Sequence, residues 1–489
     1  MKRLGRISIA TTVLLLGCSN SDGGSGPTPA GAADSGASDS GASADSATTQ
    51  TGGDATTRGE AGGDTGTSGA DATSGNHDAA ADAGRDSSTT GNGDAATEAG
   101  GNPTGSDAGC GGPMAGKLQH PNPIVSRTAT VFSSPSGGAA VVDTMYHNGG
   151  WSAPTVSTAT PAWVALKLTA GPTRILVSWD DGGTYDYNAY LEMPAAGSTR
   201  MVYGFPADYH IDTSADSTNG SDGAWATQVT VTGNSVRTRA HSIDFTGKSW
   251  VKMVITAAPT SITTPAGGTV PVLEPNGIQI GEIDVHDLSP AGSCLPDDTW
   301  FFMGDSITAF AYDRQAIHQP SFAAGIHTAS PTFFPAMING GIGGELSAGG
   351  LARLPQALAL NPDYRFFVLS FGTNDAAGGQ VSTTAFGQTM QSMINMVKAA
   401  GRIPVIPHIP FSGDGNHAAV PAYDTVIDTL VQQNQLMAGP DFYTYFMQNQ
   451  ALFVCGCQGT RTTDNLHPND QGLAGMNALW TTAMQPLYP

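Results

Sequence analysis

The sequence predicts two folded units of different class behind a structureless leader. Residues 110–294 read as an antiparallel β-sandwich. Residues 295–489 read as an α/β unit, a three-layer sandwich with a parallel sheet between helices. Three observations carry this. Residues 19–109 contain no Val, Ile, Leu, Met, Phe, Trp or Tyr. Residues 115–292 are a succession of short apolar runs separated by turn residues, with no helical periodicity. From Thr299 onward, buried-type apolar runs alternate with patterns of helical period.

Bulk composition narrows the function classes. The 489-residue chain carries 20 Lys and Arg against 41 Asp and Glu, a formal net charge of −21. Such an acidic chain is a poor grip for phosphate backbones, so no nucleic-acid partner is expected. No internal run approaches the ~20 apolar residues that a membrane-spanning helix needs, which excludes a polytopic membrane protein.

The leader begins with Lys2, Arg3 and Arg6, continues with an apolar core from Ile7 to Leu16, and ends in Leu15-Leu16-Gly17-Cys18. The core is too short to span a bilayer and reads as a cleaved signal peptide over residues 1–18. Its ending resembles the lipobox of bacterial lipoproteins. That resemblance implies that Cys18 becomes the lipid-bearing N-terminus, and Ser19 favours the outer membrane or cell surface. The apolar-free segment 19–109 cannot bury enough area to offset its ordering entropy and is expected to be disordered. It holds 14 acidic residues against Arg58 and Arg85, a net of −12. A flexible chain of this length spans roughly 50 Å, which suits a tether. Membrane contact is expected through the lipid anchor only.

In the first folded unit, Trp163–Leu168, Ile175–Trp179, Val229–Val231, Trp250–Ile255 and Ile278–Leu288 are expected strands. Gly171-Pro172, Asp181-Gly182-Gly183 and Asn219-Gly220 mark turns between them. Tyr209-His210-Ile211 with Ser214, Asp216 and Trp225, and the closing Glu282-Ile283-Asp284-Val285, resemble a galactose-binding-like jelly roll. In that superfamily, loops at one end bind sugars or membranes. Trp151, Tyr185 and Tyr187 lie near Gly-rich loops, where they would either stack on a sugar or pack at the rim.

In the second unit, Trp300–Met303, Phe366–Phe371 and Ile403–Ile409 are expected parallel strands, and Thr384–Ala400, Ala422–Ala438 and Gly472–Met484 expected helices. Ligands of such sheets bind beyond the carboxyl ends of the strands. Three short signatures fall at strand or helix ends: Gly304-Asp305-Ser306-Ile307-Thr308, Gly372-Thr373-Asn374-Asp375, and Asp464-Asn465-Leu466-His467-Pro468-Asn469. Alone, each of the first two reads also as a turn or cap, and a lone Asp-x-x-His is unremarkable. Together they supply a hydroxyl nucleophile (Ser306), a base for its proton (His467), a carboxylate to orient and charge-stabilise the imidazole (Asp464), and an amide donor for a developing oxyanion (Asn374).

At these residues the chain resembles the SGNH hydrolases, the GDSL esterase/lipase family, over about residues 299–489. The block Asn339-Gly340-Gly341-Ile342-Gly343-Gly344-Glu345 resembles the element whose glycine N–H joins the oxyanion hole, which places that role on Gly344. The resemblance implies a Ser306–His467–Asp464 triad and an oxyanion hole of Ser306 N–H, Gly344 N–H and Asn374. It also implies two-step acyl transfer with no metal or organic cofactor. Ala348-Gly349-Gly350-Leu351-Ala352-Arg353-Leu354-Pro355 resembles the lysophospholipase/thioesterase branch. His408 would either line the site or pack at a strand end, and the second is favoured. His318, His327 and His417 read as loop residues.

Export permits disulfides. A bridge joining domain termini resembles discoidin-like domains, which favours Cys110–Cys294. That leaves Cys455 and Cys457 to pair across one Gly in a small, strained ring, or to remain free thiols; no second element for a zinc site lies near. The leading expectation is a surface-anchored esterase acting on acylated carbohydrate. The alternatives are a lipid or thioester hydrolase and a catalytically idle surface binding protein. A fragment beginning at Leu295 would contain all five residues of the proposed site.

Overall fold

Turn residues between apolar runs divide the region 130–287 into short strands: β1 (Thr130–Ser134), β2 (Trp151–Ala153), β3 (Ala162–Lys167), β4 (Arg174–Asp180), β5 (Asp208–Ser214), β6 (Ala226–Val231), β7 (Thr238–Asp244), β8 (Trp250–Ala257), β9 (Ser261–Thr263), β10 (Thr269–Pro271), β11 (Ile278–Ile280) and β12 (Glu282–Asp287). The computed structural model describes residues 116–144, 150–169, 171–180, 204–263, 269–271, 276–312, 321–454 and 465–489. All of these lie in one compact unit, Thr89–Pro489. The expected signal peptide with Cys18 and the whole of the expected tether, residues 19–109, fall outside the described residues, as do Cys110, Tyr185, Tyr187, His318, Cys455, Cys457 and Asp464.

The sandwich has a five-stranded sheet, β1-β3-β8-β5-β6, and a three-stranded sheet, β12-β4-β7. Its pairings are antiparallel. Val164, Leu166, Ile211 and Met253 meet Ile175, Val177, Trp179, Ile283 and Val285 in the core between the sheets. Two further pairs, β11-β2 and β10-β9, complete the strands. The expected strand Ile278–Leu288 is two strands. Gly281 interrupts it, and β11 joins β2 while β12 joins β4. Trp151 is only 2% exposed, with Nε1 donating to the Pro135 carbonyl at 2.9 Å, so it belongs to the core and presents no face to a sugar.

The α/β unit follows as β13 (Thr299–Gly304), α1 (Ser306–Ala311), α2 (Phe322–Ala329), β14 (Ala336–Gly341), α3 (Ser347–Leu360), β15 (Phe366–Ser370), α4 (Thr373–Ala376), α5 (Thr383–Ala399), β16 (Ile403–Ile406), α6 (Val420–Asn434), β17 (Met437–Ala438), α7 (Phe442–Gln448), α8 (Ala451–Val454) and α9 (Asp470–Met484). The sheet is parallel in the order β14-β13-β15-β16-β17. Side chains alternate across it. Phe301, Met303, Phe367 and Leu369 pack under α3, α5 and α6. Trp300, Phe302, Phe366 and Val368 pack against α1, α2, α7 and α9. Both faces are covered, which is why these strands read as continuous apolar runs.

Two expected elements have different bounds, and one histidine has a different place. The run Ile403–Ile409 is a strand only to Ile406, and Pro407 follows it. The expected helix Ala422–Ala438 runs instead from Val420 to Asn434, where Gln435 turns left-handed at φ +52°. The chain then supplies the edge strand β17. His327 lies on α2, not in a loop, and bonds the Phe333 carbonyl through Nδ1 at 3.0 Å.

The two units share a core. Leu176, Val236, Ala240 and Leu288 of the sandwich region pack in the same apolar cluster as Phe301, Ala336, Leu354 and Ala357. β4 is therefore buried on both faces. Leu118, ahead of the sandwich, packs against the α2 and α9 side of the other unit, and its N–H donates to Leu487 O at 2.7 Å. Asn122 Nδ2 donates to Asp298 O at 3.0 Å and to Phe334 O at 3.1 Å. Arg174 reaches Asp363 at 3.4 Å. Cys294, where the units join, is disulfide-bonded.

Candidate active site

The first strand of the parallel sheet has its later neighbours on opposite sides: β14 on one, β15 on the other. That arrangement opens a crevice at the carboxyl ends of β13 and β15, the usual ligand position in such sheets. Two of the three signatures from the sequence leave a strand at this edge, after β13 and after β15, and the third comes just before α9.

Ser306 is the first residue of α1, directly after β13. Asp305 caps the helix, its carboxylate accepting from Ile307 N at 3.0 Å. The N–H groups of a first helical turn have no acceptor within the helix, and Asp305 takes only that of Ile307. A side chain on Gly304 would collide with Thr308 and with the Ser370 carbonyl, so glycine lets β13, α1 and β15 meet closely just before the serine. Asp305 is 2% exposed. Burial raises its pKa to about 6, against the hydrogen bonds from Ile307 N–H and Thr373 and the nearby His467.

His467 arrives from the far end of the chain. Its Nε2 lies 2.8 Å from Ser306 Oγ. The Phe310 ring meets the imidazole edge-on at 5.3 Å. The loop that carries His467 is braced from the end of β16. Ser412 Oγ and Gly413 N both donate to Asn465 O at 3.0 Å, and Asn465 itself is left-handed at φ +58°. Asp464 lies outside the described residues.

After β14 the chain makes a turn closed by Glu345 N donating to Ile342 O at 3.2 Å. Gly344 occupies its third position at φ +75°, a conformation that favours glycine. Ile342 N donates to Gly304 O at 2.9 Å, which ties this turn to the end of β13 beside Ser306. Asn374, on α4 after β15, donates from Nδ2 to Glu345 O at 3.0 Å. An amide nitrogen carries two hydrogens, so one anchors Asn374 to the turn and the second is left for another acceptor. Ser306, His467, Gly344 and Asn374 thus stand at one edge of the sheet.

His408 is elsewhere. Its Nε2 lies 2.9 Å from Asp428 and its Nδ1 3.1 Å from Asp441, bridging α6 to the cap of α7. Burial opposes its charged form, but the hydrogen bonds to Asp428 and Asp441 and the nearby Asp424 carry its pKa above the ordinary value. His417 lies 2.7 Å from Asp414 in the loop before α6.

Several residues that build the site had no assigned role in the sequence. Asp375 accepts from Ser347 N at 3.0 Å and from Ser347 Oγ at 2.5 Å, fixing the start of α3. Arg353 forks onto Glu345, with Nε 2.8 Å from Oε1 and Nη2 2.7 Å from Oε2. The available signal was their place inside the signature blocks, because local strings carry no partner information.

Residues 302–474 match the profile of the GDSL-like lipase/acylhydrolase family. The chain is 28% identical over 132 residues to esterase TesA of Pseudomonas aeruginosa, across 27% of this chain and 61% of that protein. The match thus spans about three-fifths of that relative's length. The crystal structure of TesA superposes with a TM-score of 0.32 at 25% identity, covering 39% of this chain and 99% of that one. An acetylxylan esterase from Geobacillus stearothermophilus gives a TM-score of 0.31 at 16% identity over 39% and 94%.

Proposed function

The α/β unit of this chain belongs to the GDSL-like lipase/acylhydrolase (SGNH) family, and from that premise we propose that the protein is a serine carboxylic ester hydrolase, exported and held at the bacterial surface through Cys18. The observation that carries the catalytic reading is the 2.8 Å contact between Ser306 Oγ and His467 Nε2 at the sheet edge. That distance suits direct proton transfer. His467 takes the Ser306 proton as Oγ attacks the ester carbonyl. Asp464 is assigned to orient the imidazole and stabilise its cation. The tetrahedral oxyanion is assigned to Ser306 N–H, Gly344 N–H and the second hydrogen of Asn374 Nδ2. Collapse expels the alcohol, which takes the proton back from His467. Water then enters by the same route in reverse roles and releases the acid.

For substrate, we favour acylated carbohydrate, with O-acetyl groups on a polysaccharide as the first choice. The support is a sandwich resembling sugar-binding modules on the same exported chain. The second reading, a lysophospholipid or thioester substrate, is supported by the likeness of residues 344–355 to that branch. An idle binding protein is disfavoured by the Ser306–His467 contact. The deciding experiment measures turnover on acetylated xylan, pectin and mannan beside short- and long-chain p-nitrophenyl esters and palmitoyl thioester, with Ser306→Ala as control. Highest specificity on acetylated polysaccharide supports the first reading. Preference for long acyl chains favours the second. Turnover by Ser306→Ala equal to the wild type sinks both.

A further inference from the structure

We propose that Arg353 is a positioning residue that holds the oxyanion-binding loop against the nucleophile strand, acting through Glu345. The inference rests on the catalytic reading above. Arg353 projects from α3, yet its guanidinium is bound by the strand ends on which the site is built. Nε donates to Glu345 Oε1 at 2.8 Å and Oε2 at 3.0 Å, and Nη2 donates to Oε2 at 2.7 Å. The same Nη2 donates to Gly340 O, in β14, at 2.7 Å and approaches Gly304 O, at the end of β13, at 3.5 Å. One planar group therefore links the strand before Ser306 to the strand before Gly344.

Glu345 is the hub. Its amide nitrogen closes the turn that contains Gly344, and its carbonyl accepts the hydrogen bond from Asn374. Two of the three proposed oxyanion donors are thus fixed to one residue, one through the adjoining peptide and one through a hydrogen bond. The Arg353–Glu345 pair is largely buried, with side chains 9% and 11% exposed. A fork of this kind gives directional constraint that a lysine ammonium cannot reproduce. Burial raises the Glu345 pKa while Arg353 opposes the rise.

Loss of the clamp leaves Gly344 and Asn374 present but loosely aimed. Misplacement by about 1 Å can cost on the order of 100-fold in turnover. The test compares Arg353→Lys, Arg353→Ala and Glu345→Gln with wild type on a short p-nitrophenyl ester. Active sites are counted by stoichiometric labelling of Ser306 with a p-nitrophenyl phosphonate. We expect kcat per titrated site to fall about 10- to 100-fold, KM to stay within about threefold, and millimolar guanidinium to restore part of the Arg353→Ala loss. If Arg353→Ala does not fold, the lysine and glutamine variants decide. Wild-type kcat per titrated site, with only the number of titratable sites reduced, would make Arg353 merely structural and overturn the proposal. A rise in KM alone would overturn it too. Turnover surviving in Ser306→Ala would instead overturn the reading of the site.

Discussion

Ser306 Oγ and His467 Nε2 are 2.8 Å apart although 161 residues separate them in the chain. The serine is placed by local means: a strand end, an Asp305 cap and a glycine that permits close approach. The histidine is placed by non-local means. Phe310 packs on its ring, and residues 412–413 hold its loop by the carbonyl of Asn465. The parallel sheet links the two, because it brings β13 and the loop after β16 to the same edge.

Ser306→Ala removes the proposed nucleophile and His467→Ala the proposed base, and each is expected to lower kcat on p-nitrophenyl acetate by about three orders of magnitude or more. The far-ultraviolet spectrum and unfolding midpoint of Ser306→Ala should stay near wild type, since among the described residues its hydroxyl bonds only the imidazole. A folded Ser306→Ala protein with near-normal turnover would exclude the proposed chemistry.

Asn374→Ala removes a donor assigned to charge that develops mainly in the transition state. The expected result is a fall in kcat of about 100- to 1000-fold with KM little changed. A change confined to KM would make Asn374 a substrate contact. Its hydrogen bond to Glu345 O adds an expectation: Asn374→Asp, which keeps size but lacks the amide hydrogens, should be no better than alanine.

Ser306 and Asn374 were legible as strand-to-helix turn residues, and His467 only in combination with their two signatures. Gly-Asp-Ser and Gly-Thr-Asn-Asp, each ambiguous alone, became informative because both follow buried-type apolar runs. Strand β14 was not among the expected strands, because Asn339, Gly340 and Gly341 carry no β-branched or aromatic side chain to mark one. In the fold they are buried where α1 crosses, and a side chain on Gly341 would collide with the Ala309 backbone. The Arg353–Glu345 fork was invisible, since nothing in either string says that they meet. The shared core was equally hidden. Leu176 belongs to a run, Ile175–Trp179, that looks the same whether its second face meets solvent-side packing or another unit.

Stability should fall as pH rises through the neutral range. Asp298 is fully buried, accepting from Trp300 Nε1 at 2.8 Å and Tyr488 OH at 2.6 Å. Burial raises its pKa from 3.8 to about 7 against those hydrogen bonds. The folded state therefore holds a proton that the unfolded chain releases near pH 4. Its contribution is full below that pH and is lost progressively as pH rises through about 7. Asp305, at about 6, and Asp424, at about 7, act in the same sense. Together they outweigh buried His241, whose pKa is lowered to about 3 and which acts in the opposite sense below its ordinary value of 6.5. Chemical denaturation at pH 5 and pH 8 should show the lower midpoint at pH 8. Asp298→Asn, which keeps an oxygen acceptor, should narrow the gap. An unchanged gap in Asp298→Asn would remove Asp298 as a source.

The shared core changes what is expected of a fragment beginning at Leu295. It would keep Ser306, Gly344, Asn374, Asp464 and His467 but lose Leu118, Leu176, Val236, Ala240 and Leu288, which pack against the α/β unit. It would also lose the Asn122 side chain that bonds Asp298 O and Phe334 O. Burial of each Leu or Val is worth about 1.5–3 kcal/mol. Re-exposing the surface beneath them takes a large part of the roughly 5–15 kcal/mol that stabilises a typical domain. The fragment should therefore unfold at a lower temperature than one spanning 116–489, with comparable activity losses on p-nitrophenyl acetate and on acetylated xylan. The fragment 116–489 should match the full chain on the small ester, because it retains the shared core. Should the Leu295 fragment unfold at the same temperature and lose activity only on xylan, the sandwich would act by holding the enzyme on its polymer, through effective concentration, and not by supporting the fold.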